Sequence, residues 1–199
     1  AIKKPRIEAS SLNRLFRTNQ GADFVIIAHR GLANSAEAYA NYRDTMSARP
    51  LTSRVVYTDE IYDEFGYGTI TSWAIKRFCK YALDNWTQKP TYFLLWGKGR
   101  IRTRGSEEQT IVPTYGYPAS DHEFIGHFDQ NSFKTEPEAA IGRVNLYSDE
   151  EGLAYLQKVN EYEHTNWSPW MKRGVFLGGG GTLTEQTSIE SAMNFMIDV

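Results

Sequence analysis

The chain has 199 residues, 41% hydrophobic and 14% aromatic, which is enough for one sizeable core without requiring a second domain. Its net charge of −2 reflects balanced acids and bases, and nothing in that balance suggests a nucleic-acid stripe or a basic membrane-surface patch. A single cysteine, Cys79, excludes a disulfide within the chain, and no apolar run approaches the ~18 residues of a membrane helix.

Residues 1–20 are basic and polar with little periodicity and read as a lead-in segment. Residues 23–29 (DFVIIAH) form a short continuous apolar run, the pattern of a strand buried on both faces. A helix follows over 35–46, with Tyr39, Tyr42 and Met46 at helical spacing. A second strand is expected over 53–58 (SRVVYT). The clearest helix is 71–86, where Ile70, Trp73, Ala74, Phe78, Tyr81 and Ala82 fall on one stripe opposite charges. Pro90 stops it, and 91–96 (TYFLLW) is a third buried strand ended by Gly97.

Residues 97–139 are rich in Gly, Pro, Ser and charge, and so long an irregular stretch is usually functional. The alternating Lys98, Arg100, Arg102 and Arg104 within it read as a solvated loop. A fourth strand is expected over 139–144. Ser148 and Glu151 make a capping box for the helix that carries Leu156, Val159 and Tyr162. A fifth strand is expected over 173–177, running into the glycines 178–181. A last helix starts near Glu185, with Ile189, Ala192, Met193 and Met196 on one side.

Strands alternating with helices predict an α/β fold: a mainly parallel sheet with helices on both faces. Ligands of such sheets gather at the carboxyl ends of the strands. Those ends are residues 29–31, 58–60, 97–99 and 178–181. The candidates for chemistry are sparse. Cys79 sits mid-helix beside core positions, so packing is its expected role. No Gly-x-Ser-x-Gly elbow occurs. In DHEFIGHFD the histidines His122 and His127 are five apart, one too many for a helical zinc pair. Oxygen ligands Asp121, Asp129 and Glu136 could hold calcium in that loop, and a polar loop with ordinary hydrogen bonds is the plainer alternative. The glycine run stands where an anion cradle belongs but lacks a Gly-Lys-Ser/Thr ending.

Five segments in series carry a resemblance: DEIYDEFGYGTITSWAIKRFCKYA, PTYFLLWGKG, VPTYGYPASDHEFIGHFD, EAAIGRVNLYSDEEGLAYLQKVNEYE and WMKRGVFLGGG. Over about residues 22–182 the chain resembles the gingipain family of bacterial cysteine peptidases. It is most similar in style to the signal-removing members of the type IX secretion system. The most telling part is Ala140-Ile141-Gly142-Arg143 followed by the acid-capped helix ending in Tyr162-Glu163.

The resemblance implies a caspase-like α/β fold, structural calcium sites and a His–Cys dyad that cleaves peptide bonds. Family members carry that dyad downstream, in a Gly-His-Gly segment and at a later strand end. Neither motif occurs here, so none of His29, His122, His127, His164 or Cys79 inherits a catalytic role. Secretion-type members often carry an acid after the third strand, where this chain has Lys98. Gingipains place pocket acids after the fifth strand, and Glu185 is the nearest here, a substrate-binding candidate beside its plain role as a helix-start acid.

The resulting expectation is a lead-in over 1–20 and an N-terminal α/β subdomain over 21–199, truncated at its C-terminus. The parent would be a secreted or cell-surface endopeptidase acting on proteins or peptides, with no required cofactor and calcium as a structural option. The subdomain would pack against the rest of the peptidase domain, bind no nucleic acid and span no membrane. It would leave an apolar sheet edge or face open, favouring a homodimer. The rival readings are an inactive scaffold of the same fold and a phosphate- or nucleotide-binding α/β domain.

Overall fold

The structure, a computed structural model, describes Leu15, residues 21–99, residues 112–126, Phe128 and residues 137–197. It divides into two compact units, Ala1–His164 and Thr165–Val199.

The first unit is built on parallel strands β1 (Phe24–Ala28), β2 (Ser53–Tyr57), β3 (Tyr92–Trp96) and β4 (Ala140–Val144), in the order β2-β1-β3-β4. The apolar run of β1 puts it in the middle, with all five residues buried. Phe24 is level with Ser53 and Tyr92, and Ala28 with Tyr57 and Trp96. Because successive side chains face opposite ways, that register makes two cores. Val25, Ile27, Phe93 and Leu95 join the core under helices α2 (Thr58–Phe65) and α3 (Ser72–Asn85). Phe24, Ile26, Ala28 and Trp96 face α1 (Ala33–Thr45) and α4 (Asp149–His164). Helices therefore cover both faces, as the alternating pattern predicts.

Three local readings need correction. The strand over 53–58 stops at Tyr57, and Thr58 starts the unforeseen helix α2. Its first turn carries Asp59 and Glu60, which suit the positive end of a helix, while Ile61, Tyr62 and Phe65 bury one face. In α3 the buried stripe is Ala74, Ile75, Phe78, Cys79, Ala82 and Leu83, rotated from the predicted one. Trp73 is 51% exposed and Ile70 lies outside the core. The 3.6-residue period allows both stripes, and packing on the sheet selects the smaller side chains. The expected strand 173–177 is irregular and has no strand partner among the described residues, with Val175 and Leu177 largely exposed. A short apolar run becomes a strand only where a neighbour completes its ladder.

The lead-in is not wholly peripheral. Leu15 is buried in the α2–α3 core, and its amide donates to Glu64 Oε1 at 2.8 Å. Half of the predicted capping box is present at α4: the Glu151 amide meets Ser148 Oγ at 3.4 Å, while the Glu151 carboxylate accepts the amide of Tyr147 and not that of Ser148.

Helices α1 and α4 are tied by Glu163. Its carboxylate accepts Tyr42 Oη at 2.7 Å, Arg43 NH1 at 2.6 Å and the Ala48 amide at 3.2 Å. Burial opposes ionisation of Glu163, but these donors together outweigh it and hold the carboxyl below its usual range. A carboxyl with a depressed folded-state pKa stabilises above its unfolded value of about 4.3, and that stability is lost as the pH falls through the folded value. Glu163→Gln is therefore expected to cost about 1–2 kcal/mol at pH 7, with the gap to wild type narrowing as the pH is lowered below the ordinary carboxylate range. Urea unfolding across a falling pH series checks this, and a gap that stays constant throughout would refute the carboxylate's role.

The second unit consists of a 3-10 turn at Pro169–Lys172, the glycine run 178–181 and helix α5 (Leu183–Ile197). The glycine run folds against its own helix: a Cβ on Gly178 would stand 2.8 Å from Met193 Sδ.

Candidate functional site

The carboxyl edge of the sheet collects the loops that the sequence singles out in the first unit. At the end of β1, His29 caps a 3-10 turn and its Nδ1 accepts the Gly31 amide at 3.0 Å. The neutral ring then keeps its proton on Nε2. Arg30 reaches across to the end of β2, donating from Nε to Asp59 and from NH2 to Glu60, each at 2.6 Å. Its guanidinium also stands 4.3 Å from the Tyr57 ring centroid, and the Tyr57 hydroxyl donates to Glu37. The charges at this end are therefore paired with one another. Their partners are about thirty positions apart in sequence, which is why no local motif announces them.

At the end of β3, Gly97 takes a φ of 140°, which favours glycine, and turns the chain so that Gly97 and Lys98 continue bonding to Val144 and Leu146. Lys98 Nζ rests 4.4 Å from the Tyr147 ring centroid, a cation on an aromatic face.

The organising residue of this corner is Arg143 on β4, which the sequence reading quoted in its most telling segment but gave no role in the site. Its side chain is 9% exposed. Nε and NH2 donate to the two oxygens of Asp121 at 2.7 Å each. NH1 donates to the carbonyls of Gly97 and Val112, and NH2 to that of Pro113. All five N–H donors are thus committed. The available signal was an arginine inside a short strand, since a buried charge requires partners. Nearby, Lys76 of α3 is buried beneath the same loop. Its Nζ lies 3.5 Å from Glu123 and 4.6 Å from the Tyr115 ring centroid.

This geometry bears on the calcium expectation. Asp121 faces a guanidinium through both oxygens, so a cation at that carboxylate would have to displace Arg143 or share it. Asp129 and Glu136, the other two expected ligands, lie outside the described residues, as does His127. Among the described residues no group of three or more His, Cys, Asp or Glu side chains could hold a metal ion.

Cys79 is fully buried in the α3 core, and burial pushes its thiol well above the ordinary value. A thiolate nucleophile therefore has no source at this edge within the chain, whose one cysteine this is. His164 sits at the end of α4, with Nδ1 against the Asn160 carbonyl at 2.9 Å.

In the second unit, Glu185 closes a capping box on α5. Its Oε2 accepts the amides of Gly181 and Thr182 at 2.9 and 3.1 Å, and its own amide meets Thr182 Oγ1. The amino end of α5 therefore already holds an internal carboxylate where a phosphate would otherwise bind. No helix among the described residues is long and apolar enough to cross a membrane.

A crystal structure of dimeric latent PorU from Porphyromonas gingivalis is similar to this chain, with a TM-score of 0.54 at 20% sequence identity. The similarity covers 69% of this chain and 15% of that one, so the chain spans a small part of that protein's length, and at such identity it speaks for the fold. The chain has no significant match among curated proteins. Residues 17–198 match Peptidase family C25, and the chain accordingly belongs to that family, the gingipain-type cysteine peptidases.

Proposed function

We propose that this chain forms the N-terminal subdomain of a gingipain-like cysteine endopeptidase whose His–Cys dyad lies outside these 199 residues. The observation that carries this reading is the family match over 17–198 in a chain whose only cysteine is sealed in a helix core. In this role the chain supplies the parallel sheet and the carboxyl-edge loops, pinned by Arg143 and by Arg30, against which a substrate cleft is completed by the remainder of the domain. The parent acts on proteins or peptides in secretion or cell-surface processing and is secreted or held at the bacterial surface, as the resemblance to the type IX signal-removing members implies.

The test is a fluorogenic peptide assay on the parent protein and on this chain alone. The parent is expected to show activity that alkylation of thiols abolishes, and Ala at its dyad cysteine is expected to reduce turnover by about 10³-fold or more. This chain alone is expected to be inactive. A parent without the dyad, or activity that survives alkylation, would replace the proposal with a scaffold or a different chemistry.

A further inference from the structure

The opposite edge of the sheet carries a second feature that the peptidase reading does not use. At the amino ends of β1, β3 and β4, on the α1 side, lies a cavity of about 430 Å³. That volume falls within the roughly 300–1,000 Å³ of small-molecule sites. Its walls are apolar, with Tyr39 of α1, Leu51 and Leu94 among them, and two arginines, Arg43 and Arg49, stand at its side. Part of the room comes from Gly142 on β4. A Cβ there would meet nothing but Leu94 Cδ1, at 3.9 Å, so a side chain would extend into the cavity without backbone conflict. A glycine inside a strand gives up packing, and one reason to keep it is the approach of a ligand.

The charges have a definite sign. Arg43 is paired with Glu163, whose carboxylate is fully engaged by Arg43, Tyr42 and Ala48. Arg43 Nε is buried with no acceptor. Arg49 is exposed and has no carboxylate partner among the described residues. The neighbouring carboxylates Asp23 and Asp44 accept the Thr52 and Ser53 amides and do not line the cavity. Two guanidinium groups against one carboxylate leave one positive charge beside an apolar pocket. A guanidinium fork suits a planar carboxylate, and the walls suit hydrocarbon.

We infer that this cavity is a binding site for a small carboxylate with an apolar tail, held head-on by Arg49 and packed over Gly142. It lies at the edge of the sheet away from the candidate cleft, and the inference does not depend on the peptidase reading. Such a ligand would bind without occupying the carboxyl edge.

Decanoate, below its micellar concentration, is the probe, and amide chemical shifts of the ¹⁵N-labelled chain are the readout. Saturable shifts centred on Tyr39, Arg43 and Leu94 are expected, with decylamine giving none. Arg49→Glu, on an exposed loop, is expected to weaken binding about tenfold or more by reversing the charge at the head. Gly142→Leu is expected to remove binding by filling the cavity. Should Gly142→Leu fail to fold, Arg49→Glu carries the test. The inference is overturned by absence of saturable shifts, by equal binding of decylamine, or by Arg49→Glu binding as wild type does.

Discussion

Replacing Arg143 with Met is expected to cost about 3–5 kcal/mol, because it strands a largely buried carboxylate and three carbonyls at once. In a domain of this size that loss corresponds to a fall in melting temperature of roughly 10 °C or more. The reasoning runs through the count of donors. Arg143 fills the space between the end of β3 and the loop 112–121, giving two bonds to Asp121 and three to the carbonyls of Gly97, Val112 and Pro113. No other side chain presents five donors in one plane. Arg143→Lys keeps the charge and still loses the fork, so it should recover less than half of the loss. Removing both charges, as Arg143→Met with Asp121→Leu, should cost less than Arg143→Met alone, since no uncompensated carboxylate remains. Near-UV circular dichroism melts of the four proteins decide it. An Arg143→Met melting point within about 2 °C of wild type would show the ion pair to be ornamental.

The same residue explains what was and was not legible beforehand. The strands were legible because a parallel sheet buried on both faces needs continuous apolar runs, and FVIIA and YFLLW have no other stable home. The candidate edge was legible too, because strand ends fix where loops gather, and residues 29–31, 58–60 and 97–99 stand there. The family resemblance held because order and spacing of segments survive where single motifs do not. Partnerships were not legible. From sequence Asp121 was open to a calcium site or to an ordinary polar loop, and neither reading pointed to its partner, an arginine 22 positions on. Helix α2 escaped notice because the period changes from two to 3.6 at one residue, between Tyr57 and Thr58, leaving eight residues to show it. The 173–177 run looked like a strand because sequence records hydrophobicity and not the presence of a neighbour.

Gly152→Val should destabilise the first unit by about 3 kcal/mol, against every expectation from helix propensity. Position 152 lies in the first turns of α4, and glycine there costs about 1 kcal/mol relative to alanine in an unconstrained helix. Propensity alone thus predicts a gain on substitution. The packing predicts the reverse. A Cβ at Gly152 would stand 2.5 Å from both Cβ and Oγ of Ser35 and 3.1 Å from the Trp96 ring. Ser35 has little room to yield: its Oγ accepts Trp96 Nε1 at 3.0 Å and donates to the Leu32 carbonyl, and its amide donates to Asp149 at 2.7 Å. Relief requires α4 to back away from α1, or Ser35 to swing and leave the indole N–H without an acceptor in a core, itself worth about 1–3 kcal/mol. Gly152→Ala is the sharper variant, because its sign separates the two accounts. Urea unfolding that shows Gly152→Ala to be less stable than wild type means the close approach outweighs the propensity gain. A stabilised Gly152→Ala would mean that α4 does not sit on Ser35. Adding Ser35→Gly to Gly152→Ala should restore the steric part of the loss and leave the part due to the orphaned Trp96 Nε1, so partial rescue is the expected outcome.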